Sequence, residues 1–149
     1  MTRRRVVAVI GAGDCDEPTA HLAEEVGRLL ARRKTVVVTG GLGGVMEATS
    51  RGAAAEGGLV VGIVPTASPS DANAYVDIAI ATGMGEARNA IIAHTAEALI
   101  VVAGGWGTLS EIAFALRAGK RVVTLGAWSE IAGVERVGSP GEAVDRALA

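Results

Sequence analysis

"ALIVVAGGWGTLSEIAFALRAGKRVVTLG", Ala98 to Gly126, decides the fold in a single pass. It opens on an apolar run and breaks on Gly104, Gly105 and Gly107. It then resumes with a helical apolar face at Leu109, Ile112, Ala113 and Leu116, and closes on a second apolar run, Arg121–Gly126. A continuous apolar run is how a strand reads when both its faces are covered. Strand, helix and strand in that order predict parallel pairing through a right-handed crossover.

The same unit recurs upstream. Arg5–Ile10, Thr35–Thr39 and Leu59–Pro65 read as buried strands, and Tyr75–Ala81 as a fourth that alternates Val76, Ile78 and Ile80. Between the first two lies a helix with Pro18 in its first turn and a stripe of Leu22, Val26, Leu29 and Leu30. An Ala-rich helix carries Met46, Thr49 and Ala53, and "EARNAIIAHTA" reads as another. Ser139, Pro140 and Glu142 match the cap, first turn and capping box of a last helix, while Thr66–Ala74 has loop composition. The repetition predicts one α/β domain over residues 1–149, an open parallel sheet of about six or seven strands with helices on both faces.

Composition narrows the function. Half of the 149 residues are hydrophobic but only four are aromatic, so the core must be aliphatic. A formal charge of −2 supplies no general attraction to nucleic acid or to an anionic membrane. The single Cys15 precludes an internal disulfide and fits a reducing, cytoplasmic setting. "MTRRRVVAVIGAGDC" resembles a signal peptide in its charge, but its apolar run is too short and lacks a cleavage site, so a first strand is expected. No stretch reaches the length of a membrane span.

In open α/β sheets ligands bind beyond the carboxyl ends of the strands, and three glycine-rich turns fall there: Gly11–Gly13, Gly40–Gly44 and Gly104–Gly107. Gly104, Gly105, Gly107 and Thr108 join a strand to a helix start, where free amides and the helix dipole receive an anion. Thr108 and Glu111 also have the T-x-x-E spacing of a capping box, and both readings stand at this point. "TGGLGGVMEA" repeats the device with Gly40, Gly41 and Gly44. "GAGDCD" is the weaker turn: it lacks the third glycine of a dinucleotide fingerprint, and the second strand does not end in an acidic residue. Arg88 offers a rigid fork suited to phosphate. His94 has no metal-ligand spacing with His21 or Cys15, so neither a metal nor a resident cofactor is expected.

These motifs together resemble a known group. "GGWGTLSE" is similar to the PGGxGTxxE signature of the LOG-like proteins, a Rossmann-type family, "GGLGGVME" to its earlier GGGxxGLM turn, and "MGEARN" to the place where the family carries arginine followed by lysine. Ala103 replaces the signature proline, Asn89 the lysine, and Glu86 a frequent histidine. With "TGMGEARN", these departures are most similar to the SLOG cluster 4 type, related to molybdenum cofactor carrier proteins. The resemblance implies Arg88 and Glu111 as catalytic residues, with Gly40, Gly41, Gly44, Gly104, Gly105, Gly107 and Thr108 holding a phosphorylated ligand.

Two functions follow as expectations. The leading one is phosphoribohydrolase cleavage of the N-glycosidic bond in a nucleoside 5′-monophosphate. The alternative is a non-catalytic carrier or sensor of a phosphorylated ligand such as the molybdenum cofactor or a nucleotide. Pyridoxal phosphate chemistry is not expected, because Lys34 and Lys120, the two lysines, each precede a strand and so lie at the wrong end of the sheet. Trp106 is a candidate for stacking on the ligand's ring. The small-residue helix around Met46–Ala55, with the family resemblance, suggests a homodimer or higher homo-oligomer.

Overall fold

The computed structural model describes residues 2–149; Met1, where the expected domain begins, lies outside them. Seven strands form one parallel sheet: β1 Val6–Gly11, β2 Val36–Thr39, β3 Val60–Val64, β4 Ile78–Ala81, β5 Ala98–Val102, β6 Arg121–Thr124 and β7 Val134–Arg136. Their spatial order is β4-β3-β2-β1-β5-β6-β7, every neighbouring pair parallel. The expected α/β Rossmann-like architecture is therefore the one observed. Successive strands are laid outward in one direction from β1 and then, from β5, in the other. The order reverses between β1 and β5, which pair from Val7 with Ala98 to Gly11 with Val102.

Five helices cover the sheet: α1 Glu17–Arg32, α2 Val45–Ala55, α3 Arg88–Thr95, α4 Trp106–Arg117 and α5 Pro140–Leu148. One aliphatic layer joins alternate strand residues such as Val7, Val9 and Val37 to α1, α2 and α5. The opposite layer joins Ala8, Ile10 and Leu99 to α3 and α4. Burying this aliphatic surface stabilises the fold by about 25 cal/mol per Å² removed from water.

Three expectations shift. The strand read at Tyr75–Ala81 is only Ile78–Ala81, an edge strand with Ile78 and Ile80 exposed, because no further strand covers it. Val134–Arg136 adds a short seventh strand that carries no apolar run to announce it. In α1 the buried stripe is Ala23, Val26, Gly27, Leu30 and Ala31, with Leu22 turned outward. The reason lies in α2. A side chain on Gly27 would collide with the carbonyl of Thr49, and one on Gly52 with that of Glu24. The two helices meet backbone to backbone, which buries Gly52 and Ala53 of α2 inside the chain and leaves Ala54 and Ala55 exposed.

Candidate functional site

At the reversal point the carboxyl ends of β1, β2 and β5 open into a cavity of about 190 Å³. Gly11, Ala12 and Gly13 line it from β1, Gly40 from β2, and Met46 from the first turn of α2. Gly105, Gly107, Thr108 and Glu111 reach it from α4, and Arg88 and Asn89 from the start of α3. Ligands of open α/β folds are found in this position.

The start of α4 is the chemical centre. Its N-cap is Gly105, which has no side chain to cap with. The first intrahelical bond brings Leu109 N–H to Gly105 O at 3.0 Å, leaving the amides of the first turn without a helical partner. Thr108 and Glu111 lie inside the helix, both buried, so the capping-box reading of that pair does not hold. By contrast α1 and α5 are closed by their own side chains: Thr19 N–H donates to Asp16 at 2.9 Å, and Glu142 N–H to Ser139 at 3.1 Å. The dipole of α4 is left pointing into the cavity.

The turn leading into α4 is shaped by backbone geometry. Ala103 has φ +58° and Gly104 φ +111°. Proline, fixed near −65°, cannot take the place of Ala103 in this conformation. A side chain on Gly104 would strike the Thr108 hydroxyl. Trp128, itself at φ +62°, donates its indole N–H to the Gly104 carbonyl at 3.2 Å.

Charge in the cavity is unusual for being unpaired. Arg88 donates Nη2 to the Gly40 carbonyl at 3.3 Å and Nη1 to the Asn89 side-chain oxygen, while its Nε is buried with no partner among the described residues. Burial depresses the Arg88 guanidinium's hold on its proton, an effect that Glu111 opposes. Glu111 is 6% exposed. Burial pushes its carboxyl up to about 8, with the Arg88 charge pulling it back. Among the described residues the Glu111 carboxyl has no hydrogen bond, and it forms no ion pair with Arg88. Both groups are desolvated, and among the described residues neither is paired with the opposite charge that would normally compensate for that cost.

The structure thus brings Gly40, Arg88, Gly105, Gly107, Thr108 and Glu111 into one cavity. Gly41, Gly44 and Gly104 do not line it. Gly41 faces Val64, its carbonyl tied to the Asn73 side chain at 3.2 Å, and Gly44 abuts the backbone of Ala12 and Gly13. Trp106 stands at the rim, 82% exposed, its ring centroid 5.9 Å from that of Trp128. Gly11–Gly13, the weaker turn by motif, lies at the mouth because β1 is a central strand beside the reversal, a property of topology that no local motif reports. Asn89, a departure from the family pattern in sequence, is 6% exposed and joins α3 to α4. Lys120 Nζ donates to the carbonyls of Ala93 and His94 at the end of α3, and Lys34 lines a separate cavity at the amino edge. No helix among the described residues is long and apolar enough to cross a membrane, and these residues contain no cluster of three metal-ligating side chains.

Comparison with known proteins extends this picture. The family model described as SLOG cluster4 matches residues 4–144. A protein of Archaeoglobus fulgidus with no assigned function is 52% identical over 139 residues, 93% of this chain and 91% of that one. The solved molybdenum cofactor binding protein of Rippkaea orientalis is 34% identical with a TM-score of 0.90, over 98% of this chain and 96% of that one. A cytokinin riboside 5′-monophosphate phosphoribohydrolase of Rhodococcoides fascians is 37% identical over 96 residues, 61% of this chain and 48% of the relative.

Proposed function

This chain belongs to the SLOG cluster4 family, and on that footing we propose that it binds and carries a phosphorylated pterin of the molybdenum-cofactor class. The observation that carries the reading is Arg88: a desolvated guanidinium with an unpartnered Nε, set beside an uncapped helix start. A phosphate repairs both deficits at once. Its oxygens accept from the first-turn amides of α4 and the Thr108 hydroxyl, while Arg88 supplies the countercharge. The cavity, about 190 Å³, is small against the roughly 300–1,000 Å³ of sites that enclose whole drug-sized ligands. It takes the phosphate end and leaves a planar ring at the rim, where Trp106 offers a stacking face. Cargo would then load and leave without passing a closed lid.

The test is expression with molybdate supplied, followed by purification and assay for molybdenum and for a fluorescent pterin. Co-purification of both in wild type and their loss from Arg88→Ala is the expected result. An empty wild-type protein that also fails to bind added pterin phosphate overturns the reading.

A second reading, N-glycosidic hydrolysis of a nucleoside 5′-monophosphate, is favoured by the meeting of Glu111 and Arg88 in one cavity. An ionised Glu111 can stabilise an oxocarbenium-like transition state and activate water. With its carboxyl pushed up to about 8, however, Glu111 keeps its proton in most molecules at neutral pH, which suits hydrogen-bond donation to a bound ligand better than base catalysis. Carriage ranks first because the likeness to the molybdenum cofactor binding protein runs over 98% of this chain, against 61% for the phosphoribohydrolase. Incubation with AMP decides between them: free adenine, rising with pH through about 8 and abolished in Glu111→Ala, would establish hydrolysis. In either reading the protein works in the cytosol as a homo-oligomer. The exposed apolar side chains Ile78, Ile80, Met84 and Phe114 support assembly, and a monomer in light scattering at micromolar concentration would contradict it.

A further inference from the structure

Arg88 and Glu111 line the same cavity and the guanidinium would attract an ionised carboxylate, yet the two form no ion pair. Something holds them apart. Gly40 takes part: its carbonyl accepts from Nη2 at 3.3 Å, and a Cβ there would stand 2.8 Å from the same nitrogen. The other hold is Asn89. Its oxygen accepts from Nη1 of Arg88, and its Nδ2 donates to the Gly107 carbonyl at 3.4 Å and to Ser110 Oγ at 3.2 Å. Ser110 Oγ in turn donates to Gly107 O at 2.6 Å. One buried amide thereby bolts the guanidinium to the first turn of α4, the same turn whose free amides face the cavity.

We propose that Asn89 is a positioning residue: its amide, wedged between Arg88 and the start of α4, holds the guanidinium toward an incoming phosphate and away from Glu111. A neutral amide suits this task because it satisfies an arginine N–H without cancelling the charge, as a carboxylate would. Without Asn89 the guanidinium loses one of its two acceptors and pairs with the Glu111 carboxyl, which has no hydrogen bond among the described residues. The site would then be neutralised from inside. This inference rests on the reading of the cavity as a phosphate site.

The test uses the full chain and inorganic phosphate, followed by amide NMR titration, together with carboxyl NMR of Glu111 in the ligand-free protein. Asn89→Ala is expected to weaken phosphate binding about tenfold or more, the scale of a lost charge-assisted hydrogen bond. It should also lower the Glu111 titration midpoint, because a guanidinium has moved beside the carboxyl. Glu111→Leu in the Asn89→Ala background should restore most of the lost affinity, since neither a carboxylate nor another acceptor is left there for Arg88 to collapse onto. A merely structural role for Asn89 predicts no such rescue. Ser110→Ala, which removes only one anchor of the amide, should act in the same direction and more weakly, and serves if Asn89→Ala does not fold. The proposal is overturned if Asn89→Ala binds phosphate as wild type does, if the loss persists in the double variant, or if the Glu111 midpoint stays in place. A wild-type protein that ignores phosphate would sink the phosphate reading alone, because the ligand-free midpoint still decides what Asn89 does.

Discussion

The two ends of the sheet carry cavities of opposite character. The amino-edge cavity is the larger, about 680 Å³, and is rich in charge, with Arg4, Arg32, Lys34, Glu56 and Asp77 on its walls. Yet most of that charge is answered. Arg32 meets Glu56 at 3.0 Å, Asp77 accepts from Val60 N–H at 2.8 Å, and Arg28 adds a second contact to Glu56 at 3.3 Å. The helix α1 ends there with Arg32 in its last turn, so the negative end of its dipole is already matched by a basic residue. The carboxyl-edge cavity holds about 190 Å³ and little charge, but among the described residues Arg88 Nε has no partner, neither Arg88 nor Glu111 has an ion-pair partner, and α4 lacks a side-chain cap. Size does not mark a binding site. Unmet hydrogen-bonding capacity does, because a ligand gains free energy only from groups the protein has left unsatisfied.

The largest test of this contrast sets Arg88→Ala against Arg32→Ala. The first should cost about 2–5 kcal/mol of binding to a pterin phosphate by calorimetry, as expected for removing one side of a buried charged contact. The second should leave affinity within about twofold, since exposed ion pairs contribute little. Equal losses would erase the distinction between the two ends.

Next comes the cost of keeping Glu111 unpaired. Its folded pKa lies near 8, above the ordinary 4.5, so the folded state retains a proton that the unfolded chain has shed. Stability from this group is complete below about 4.5 and is lost as pH rises through about 8. Thermal melts of wild type should fall relative to Glu111→Gln across that window, by up to about 5 kcal/mol at the alkaline end. Parallel curves would mean that the carboxyl is solvated or paired after all.

A third comparison separates shape from access within one turn. Gly104→Ala forces a side chain into φ +111° and against Thr108, and should cost roughly 1–3 kcal/mol in denaturant unfolding. At Gly105 the space is open and φ is −110°. Alanine there should spare the fold and weaken ligand binding by crowding the helix mouth. The smallest effect is at a capped end: Ser139→Ala removes the bond to Glu142 N–H and should cost about 1 kcal/mol of stability without touching affinity.

Much of this was legible in the residues, and the reasons for the misses are physical. Val7, Val37 and Leu99 announce covered strands because both faces of a parallel sheet are dry, and the helices follow from their spacing. Tyr75–Ala81 alternates as a half-buried strand does, but the edge position shortens its pairing to four residues. Of the two readings that the T-x-x-E pattern leaves open, the capping box fails because Thr108 begins no helix: α4 starts two residues earlier, at Trp106. The small residues of α2 looked like an external contact because sequence does not say which neighbour a helix meets. Gly105, Gly107, Arg88 and Glu111 were readable from motif and resemblance. That Gly11–Gly13 and Asn89 join them depends on long-range placement, which no local pattern encodes.

The reversal of strand order has a mechanical consequence. Four strands, β1 to β4, stand on one side of it and three, β5 to β7, on the other, stitched together along the ladder from Val7–Ala98 to Gly11–Val102. A guest in the cavity touches Gly11, Gly13 and Gly40 from the first side and Gly105, Thr108 and Glu111 from the second. It would act as a clasp across the joint, so loading should register as slower amide exchange along β1 and β5.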